Sequence, residues 1–134
     1  MDIKQVIIIR KDLNMRKGKM AAQAAHASMK VIIDMMSKKY MLHGKMERWS
    51  LLMSDDQEIY QWLNGPFKKI VVGVNSEKEL MDLYIAASIA GLPHALIQDS
   101  GLTEFHGNST YTAMAIGPAK SEEIDRITGN LELL

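Results

Sequence analysis

The chain has 134 residues, 47% hydrophobic and 24% charged, with 16 basic and 16 acidic residues and no cysteine. That length suits one domain able to bury a sizeable core without metal or disulfide, and the missing thiols exclude a disulfide scaffold, thiol catalysis and thiolate metal sites. The longest strong apolar run, VIII at residues 6–9, is far short of a membrane span, and the first ten residues lack a signal-peptide pattern, so a cytoplasmic protein is the expectation.

Residues 3–9, IKQVIII, are β-branched and apolar and predict a buried strand. The loop 10–18, RKDLNMRKG, follows. It lies in a strongly basic segment: residues 1–30 carry Lys4, Arg10, Lys11, Arg16, Lys17, Lys19 and Lys30 against only Asp2 and Asp12. On a chain of zero net charge, such a concentration suits a local anion contact, although charge alone also fits a solvated loop. A helix is expected from Lys19 to Met36, with Met20, Ala24, Ala27, Val31 and Met35 at the helical period. Its alanines, with Ser28, suit close packing on the first strand. Packing does not explain Lys19, Gln23, His26 and Lys30, whose spacings of four, three and four place them on one face. Lys19 sits in the first turn, against the helix dipole and beside the strand–loop–helix turn where α/β folds bind ligands.

Residues 37–54 show no firm pattern, though MERWSLLM is compatible with a helix, and the stretch 37–62 has the composition of an insertion. A short helix over 55–63 with Ser54 or Asp55 as cap is stopped by Gly65 and Pro66. KIVVGV (69–74) is a second buried strand. Asn75 or Ser76 caps a helix over about 77–90, with Glu77 or Glu79 placed to close a capping box, and Gly91 ends it. HALIQD (94–99) is a third strand, a loop follows, and YTAMAIG (111–117) is a fourth strand stopped by Pro118. Ser121 caps a last helix over 121–127. Alternating strands and helices imply a largely parallel sheet covered on both faces, with one antiparallel pair where the loop 99–110 joins two strands. The four histidines form no H-x-x-x-H pair, so no metal site is expected. The Phe and Tyr residues are scattered and offer no evident stacking platform.

Five stretches together resemble the type 2 peptidyl-tRNA hydrolases of archaea and eukaryotes: RKDLNM before GKMAAQAAHA, W-x-x-G-x-x-K-K-I-V-V at 62–72, DSGLTEF at 99–105, TAMAIGP at 112–118, and ID-x-ITG-x-L-x-LL at 124–134. The resemblance covers nearly the whole chain. It implies a three-layer α/β fold with a mixed four-stranded sheet and helices on both faces, often dimeric, built as a single domain over 1–134. It implies hydrolysis of the ester joining a peptide to the terminal ribose of tRNA, recycling the tRNA, with no cofactor. Carried over residue by residue, the catalytic set is Lys19, Asp99, Thr103 and Thr112. Gln23 and Lys69 are further candidates, with His26 beside them, while Arg10, Lys11, Arg16, Lys17 and Lys30 are placed to hold phosphates near the acceptor end.

Ester hydrolysis needs an oriented water, a base for its proton and donors for the oxyanion. A lysine beside Asp99 would keep it ionised, whereas desolvation would raise its pKa; the sequence leaves both open. Read alone, Asp99 before Gly101 is an ordinary turn residue and Thr103 a loop cap. The chain departs from the family pattern at Ser100 and Leu102 within D-A-G-R-T, at Gly73 where a lysine is common, and at Glu132 where the ending is usually L-K-L-L. These losses of basic residues admit an alternative, a catalytically weak or inactive RNA- or protein-binding module on the same fold.

Overall fold

The computed structural model describes residues 2–101 and 105–134. The elements run β1 (Ile3–Arg10), α1 (Lys17–Met35), β2 (Ser37–Met41), β3 (Met46–Ser50), α2 (Glu58–Asn64), β4 (Lys69–Val74), α3 (Glu77–Ala90), β5 (His94–Asp99), β6 (Thr110–Lys120) and α4 (Ser121–Thr128). Four strands form one sheet in the order β4-β1-β6-β5. Only β1 and β4 are parallel; β6 runs antiparallel to both β1 and β5. The expectation of a largely parallel sheet is therefore corrected to the mixed sheet. A parallel return needs a crossover of a dozen or more residues, usually a helix, and the loop after Asp99 supplies neither.

The alternation of β1 separates two cores. Val6 and Ile8 face Leu80 and Ala87 of α3 and Ile124 of α4, whereas Ile7 and Ile9 face Ala27 and Val31 of α1. Ile8 and Ile9 are fully buried, each contributing about 1.5–3 kcal/mol relative to exposure. A third cluster seats Ile59 and Trp62 of α2 against Ile3. Helices thus cover both faces of the sheet.

Several local expectations are corrected. Residues 37–50 form a hairpin of β2 and β3 instead of an irregular or helical stretch. The helix expected from residue 55 begins at Glu58. Strand β6 continues through Gly117 and Pro118 to Lys120; Pro118 needs no ladder N–H, and the antiparallel pairing with β1 resumes at Ala119 and Lys120. Ser121 is the first residue of α4, not its cap, and its hydroxyl donates to Asp2. The α3 capping box forms as expected, with Glu79 N–H donating to Ser76 Oγ and the Glu79 carboxylate accepting from Asn75 N–H.

Candidate active site

Helix α1 runs back across the sheet from the carboxyl end of β1. This direction brings its first turns to the end of the sheet where β5 finishes at Asp99 and β6 begins. Only Ala27 of the expected alanine face is fully buried, with Ala24 partly so; Ala21 and Ala25 are exposed. The packing explanation therefore covers part of the alanine run. Ser28 instead serves a buried polar residue, its Oγ donating to Gln5 Oε1, while Gln5 Nε2 donates to the Gly117 carbonyl.

At the start of α1 the Lys19 Nζ donates to Asp99 Oδ1 at 2.7 Å, with both side chains almost covered. The first turn of α1 carries no acidic residue, so Asp99 supplies the negative charge that the helix start and its lysine both favour. Gln23 lies one turn on and is 2% exposed. Its Nε2 lies 3.5 Å from the same Asp99 oxygen, and its Oε1 accepts a 2.5 Å hydrogen bond from the Thr112 hydroxyl. Thr112 is fully buried beneath Gln23. It fixes the amide's orientation, leaving the amide N–H pointing at Asp99. The second oxygen of Asp99 accepts from the Gly101 N–H at 2.8 Å. Gly101 has φ +84°, and a Cβ there would meet the Asn108 carbonyl oxygen at 2.3 Å, so this turn requires glycine.

The Lys19 ammonium, hydrogen-bonded to it, holds the Asp99 carboxyl below the ordinary carboxylate range, against the opposing pull of burial; the Gly101 N–H and the charge of His26 act in the same direction as Lys19. His26 is exposed on the same face. The Phe105 ring lies 5.6 Å from Lys19 Nζ, a contact within cation–π range. Sequence reasoning did not single out Phe105 or the Gly101 N–H, although both lie in or beside the D-S-G-L-T-E-F stretch. Thr103, with the Leu102 replacement, lies outside the described residues.

The other candidates separate into two groups. Arg16 and Lys17 are exposed at the start of α1, and Lys30 is exposed farther along it, 3.2 Å from Asp34. Lys11 stretches over Gly73, where a Cβ would meet its Cδ at 2.6 Å, and its Nζ lies 3.5 Å from Glu132. Thus Gly73 makes room for Lys11. Arg10 is turned inward: its guanidinium binds both carboxylate oxygens of Asp12 and donates to the Tyr111 carbonyl. These contacts brace the loop after β1. Lys69 is not brought to Asp99. It pairs in register with Gln5, near the opposite end of β1, about 17 Å along the strand from Arg10. There its Nζ lies 3.0 Å from the Phe67 ring centroid, and burial pushes its pKa down. Among the described residues no group of three or more His, Asp or Glu side chains is placed to hold a metal ion. Among the described residues no helix is long and apolar enough to cross a membrane.

Residues 3–134 match the family profile described as peptidyl-tRNA hydrolase PTH2. The chain is 43% identical over 132 residues to a protein of Methanocaldococcus jannaschii named peptidyl-tRNA hydrolase, covering 98% of this chain and all of that one. It is 41% identical over 131 residues to the protein of that name from Haloquadratum walsbyi, covering 98% of this chain and 99% of the relative. A third, from Methanothermobacter thermautotrophicus, is 40% identical over 132 residues, covering 98% of this chain and all of the relative.

Proposed function

We propose that this chain, which belongs to the peptidyl-tRNA hydrolase PTH2 family, hydrolyses the ester between a peptide and the terminal ribose of tRNA with Lys19 and Asp99 as its catalytic pair. The observation that carries the assignment of roles is the 2.7 Å contact between these two side chains, nearly covered and held in place by Gln23 and Gly101.

In this reading the water oxygen attacks the ester carbonyl carbon, the bond to the ribose oxygen breaks, and the water proton ends on that oxygen. A carboxylate whose pKa is lowered is a weak base, so Asp99 chiefly orients the water and the Lys19 ammonium. Lys19, a donor beside the developing oxyanion, stabilises the charge that forms. Thr112 acts through Gln23, as a positioning residue. Arg16, Lys17, Lys30 and His26 line the exposed approach and suit the phosphates and riboses near the acceptor end. Lys11 and Lys69 are farther out, and Thr103 completes the family's set. The alternative of a binding module without turnover has no observation in its favour.

The finer parts of the reading are a cytoplasmic location, one domain over 1–134 with 37–62 inserted, and a homodimer. For the dimer, an apolar groove of about 610 Å³ between α1 and α2, lined by Ala25, Met29, Trp62 and Phe67, offers a seat for a second copy on the flank of α1 away from Asp99. Sedimentation equilibrium of the wild type and Met29→Glu tests it: the dimer predicts that the charge yields a monomer, and a wild-type monomer refutes it.

The activity is tested by mixing catalytic amounts of the purified chain with N-acetyl-aminoacyl-tRNA. Complete release of the acetyl-amino acid over many turnovers is expected. Stoichiometric binding without release contradicts the proposal.

A further inference from the structure

The hairpin of β2 and β3 stands apart from the sheet. Its strands pair only with each other, and all ten of their residues are exposed. A lone two-stranded hairpin is marginally stable in water, which makes its composition informative. Residues 37–50 hold Lys38, Lys39, Lys45 and Arg48 against Glu47 alone. Lys39 is paired directly opposite Arg48. Like charges across a ladder are destabilising, and among the described residues no carboxylate forms an ion pair with either one. The pleat places these two cations on one face and the aromatic residues on the other. There Trp49 sits opposite Lys38, whose ammonium is 4.8 Å from its ring, and Tyr40 is 77% exposed. The two rings that look unrelated in the sequence therefore share a face.

We propose that this hairpin is a second RNA contact, gripping the body of the tRNA substrate away from its ester. A phosphate bridging Lys39 and Arg48 relieves their repulsion, while unpaired bases stack on Tyr40 and the free face of Trp49. The inference rests on the reading of the substrate as peptidyl-tRNA. The hairpin follows the far end of α1, a helix of 19 residues and so about 28 Å long, so only a ligand with an extended anionic body reaches it from Lys19. The ester and its terminal nucleotide are too small to do so.

The test is binding of deacylated tRNA by fluorescence anisotropy across a salt series, for the wild type and the double variant Lys39→Ser/Arg48→Ser. Losing the bridged phosphate should flatten the log–log salt dependence by about 0.8. With peptidyl-tRNA as substrate, KM should rise about fivefold to tenfold at low salt with kcat unchanged. Hydrolysis of a peptidyl-adenosine ester, which has no RNA body, should be unaffected. The pair Lys39→Arg/Arg48→Lys should keep the wild-type slope. Because the strands pair only with each other, the melting temperature should not move. An unchanged slope and KM in the serine variant overturn the inference, as does loss of binding to phosphatidylserine vesicles with tRNA binding intact, which assigns the hairpin to a membrane surface. The two readings fail separately. Peptide release with an unchanged slope rejects the hairpin alone, whereas a flattened slope without any peptide release rejects the hydrolase alone.

Discussion

The ammonium of Lys19 and the carboxylate of Asp99 lie 2.7 Å apart although 80 residues separate them in the chain. One comes from the first turn of α1 and the other from the last residue of β5. The sheet order makes the meeting possible, because β6 lies between β1 and β5 and lets α1 cross back to the β5 edge. Both side chains are nearly covered, so their charges meet where water screens them little.

Asp99→Asn keeps the size of the side chain and removes its charge. The variant should remain folded and lose about 10²–10⁴ in kcat, the range for a group that positions or moves a proton in the transition state. Circular dichroism and single-turnover peptide release check the two halves of this expectation. Wild-type kcat in a folded variant removes Asp99 from the mechanism.

Thr112→Val deletes a buried hydroxyl and leaves the Gln23 Oε1 without its donor. The unsatisfied acceptor should cost about 1–3 kcal/mol in urea denaturation. Because Gln23 is then free to rotate away from Asp99, kcat should fall with little change in KM. Thr112→Ser, which restores the hydroxyl, should recover most of the rate.

The pH dependence has a definite sign. Asp99 is depressed in the folded chain, below the free carboxyl value of 3.8, so its pairing stabilises the fold fully above that value. The contribution fades as pH falls through the lower folded value. The stability gap between wild type and Lys19→Ala should therefore be constant from neutral pH to about pH 5 and narrow below it. A gap that widens in acid contradicts the pairing.

Gly101→Ala places a Cβ at a backbone with φ +84° and 2.3 Å from the Asn108 oxygen. The turn must open, at a cost of about 1–3 kcal/mol, and the N–H that holds Asp99 Oδ2 moves with it. Thermal melting should show the loss, and kcat/KM should fall further than the stability change alone explains.

The strands that belong to the core were legible because burial leaves a strong mark: the VIII run of β1 and the IVV run of β4 are apolar on both faces. The site was legible mainly through motifs, since Asp99 alone reads as an ordinary turn residue and Lys19 alone only as a lysine set against the helix dipole. Their convergence depends on the antiparallel insertion of β6, which local pattern does not carry. The hairpin was missed for a physical reason. Its strands are exposed on both faces, so they lack the alternation that marks a half-buried strand, and its turn places Leu42 and His43 at φ 51° and 57° instead of using Asn-Gly. Only part of Arg10's bracing was legible: Asp12 is two residues away, but the Tyr111 carbonyl to which it also donates is 101 residues away in the chain.

The central claim is that Lys19 and Asp99 act as one unit on the ester, and a double-mutant cycle on kcat/KM tests it most directly. Lys19→Ala and Asp99→Ala should each remove about 10²–10⁴ in rate, and the double variant should be no slower than the worse single variant. Strictly additive losses, or wild-type rates in either folded single variant, contradict the account.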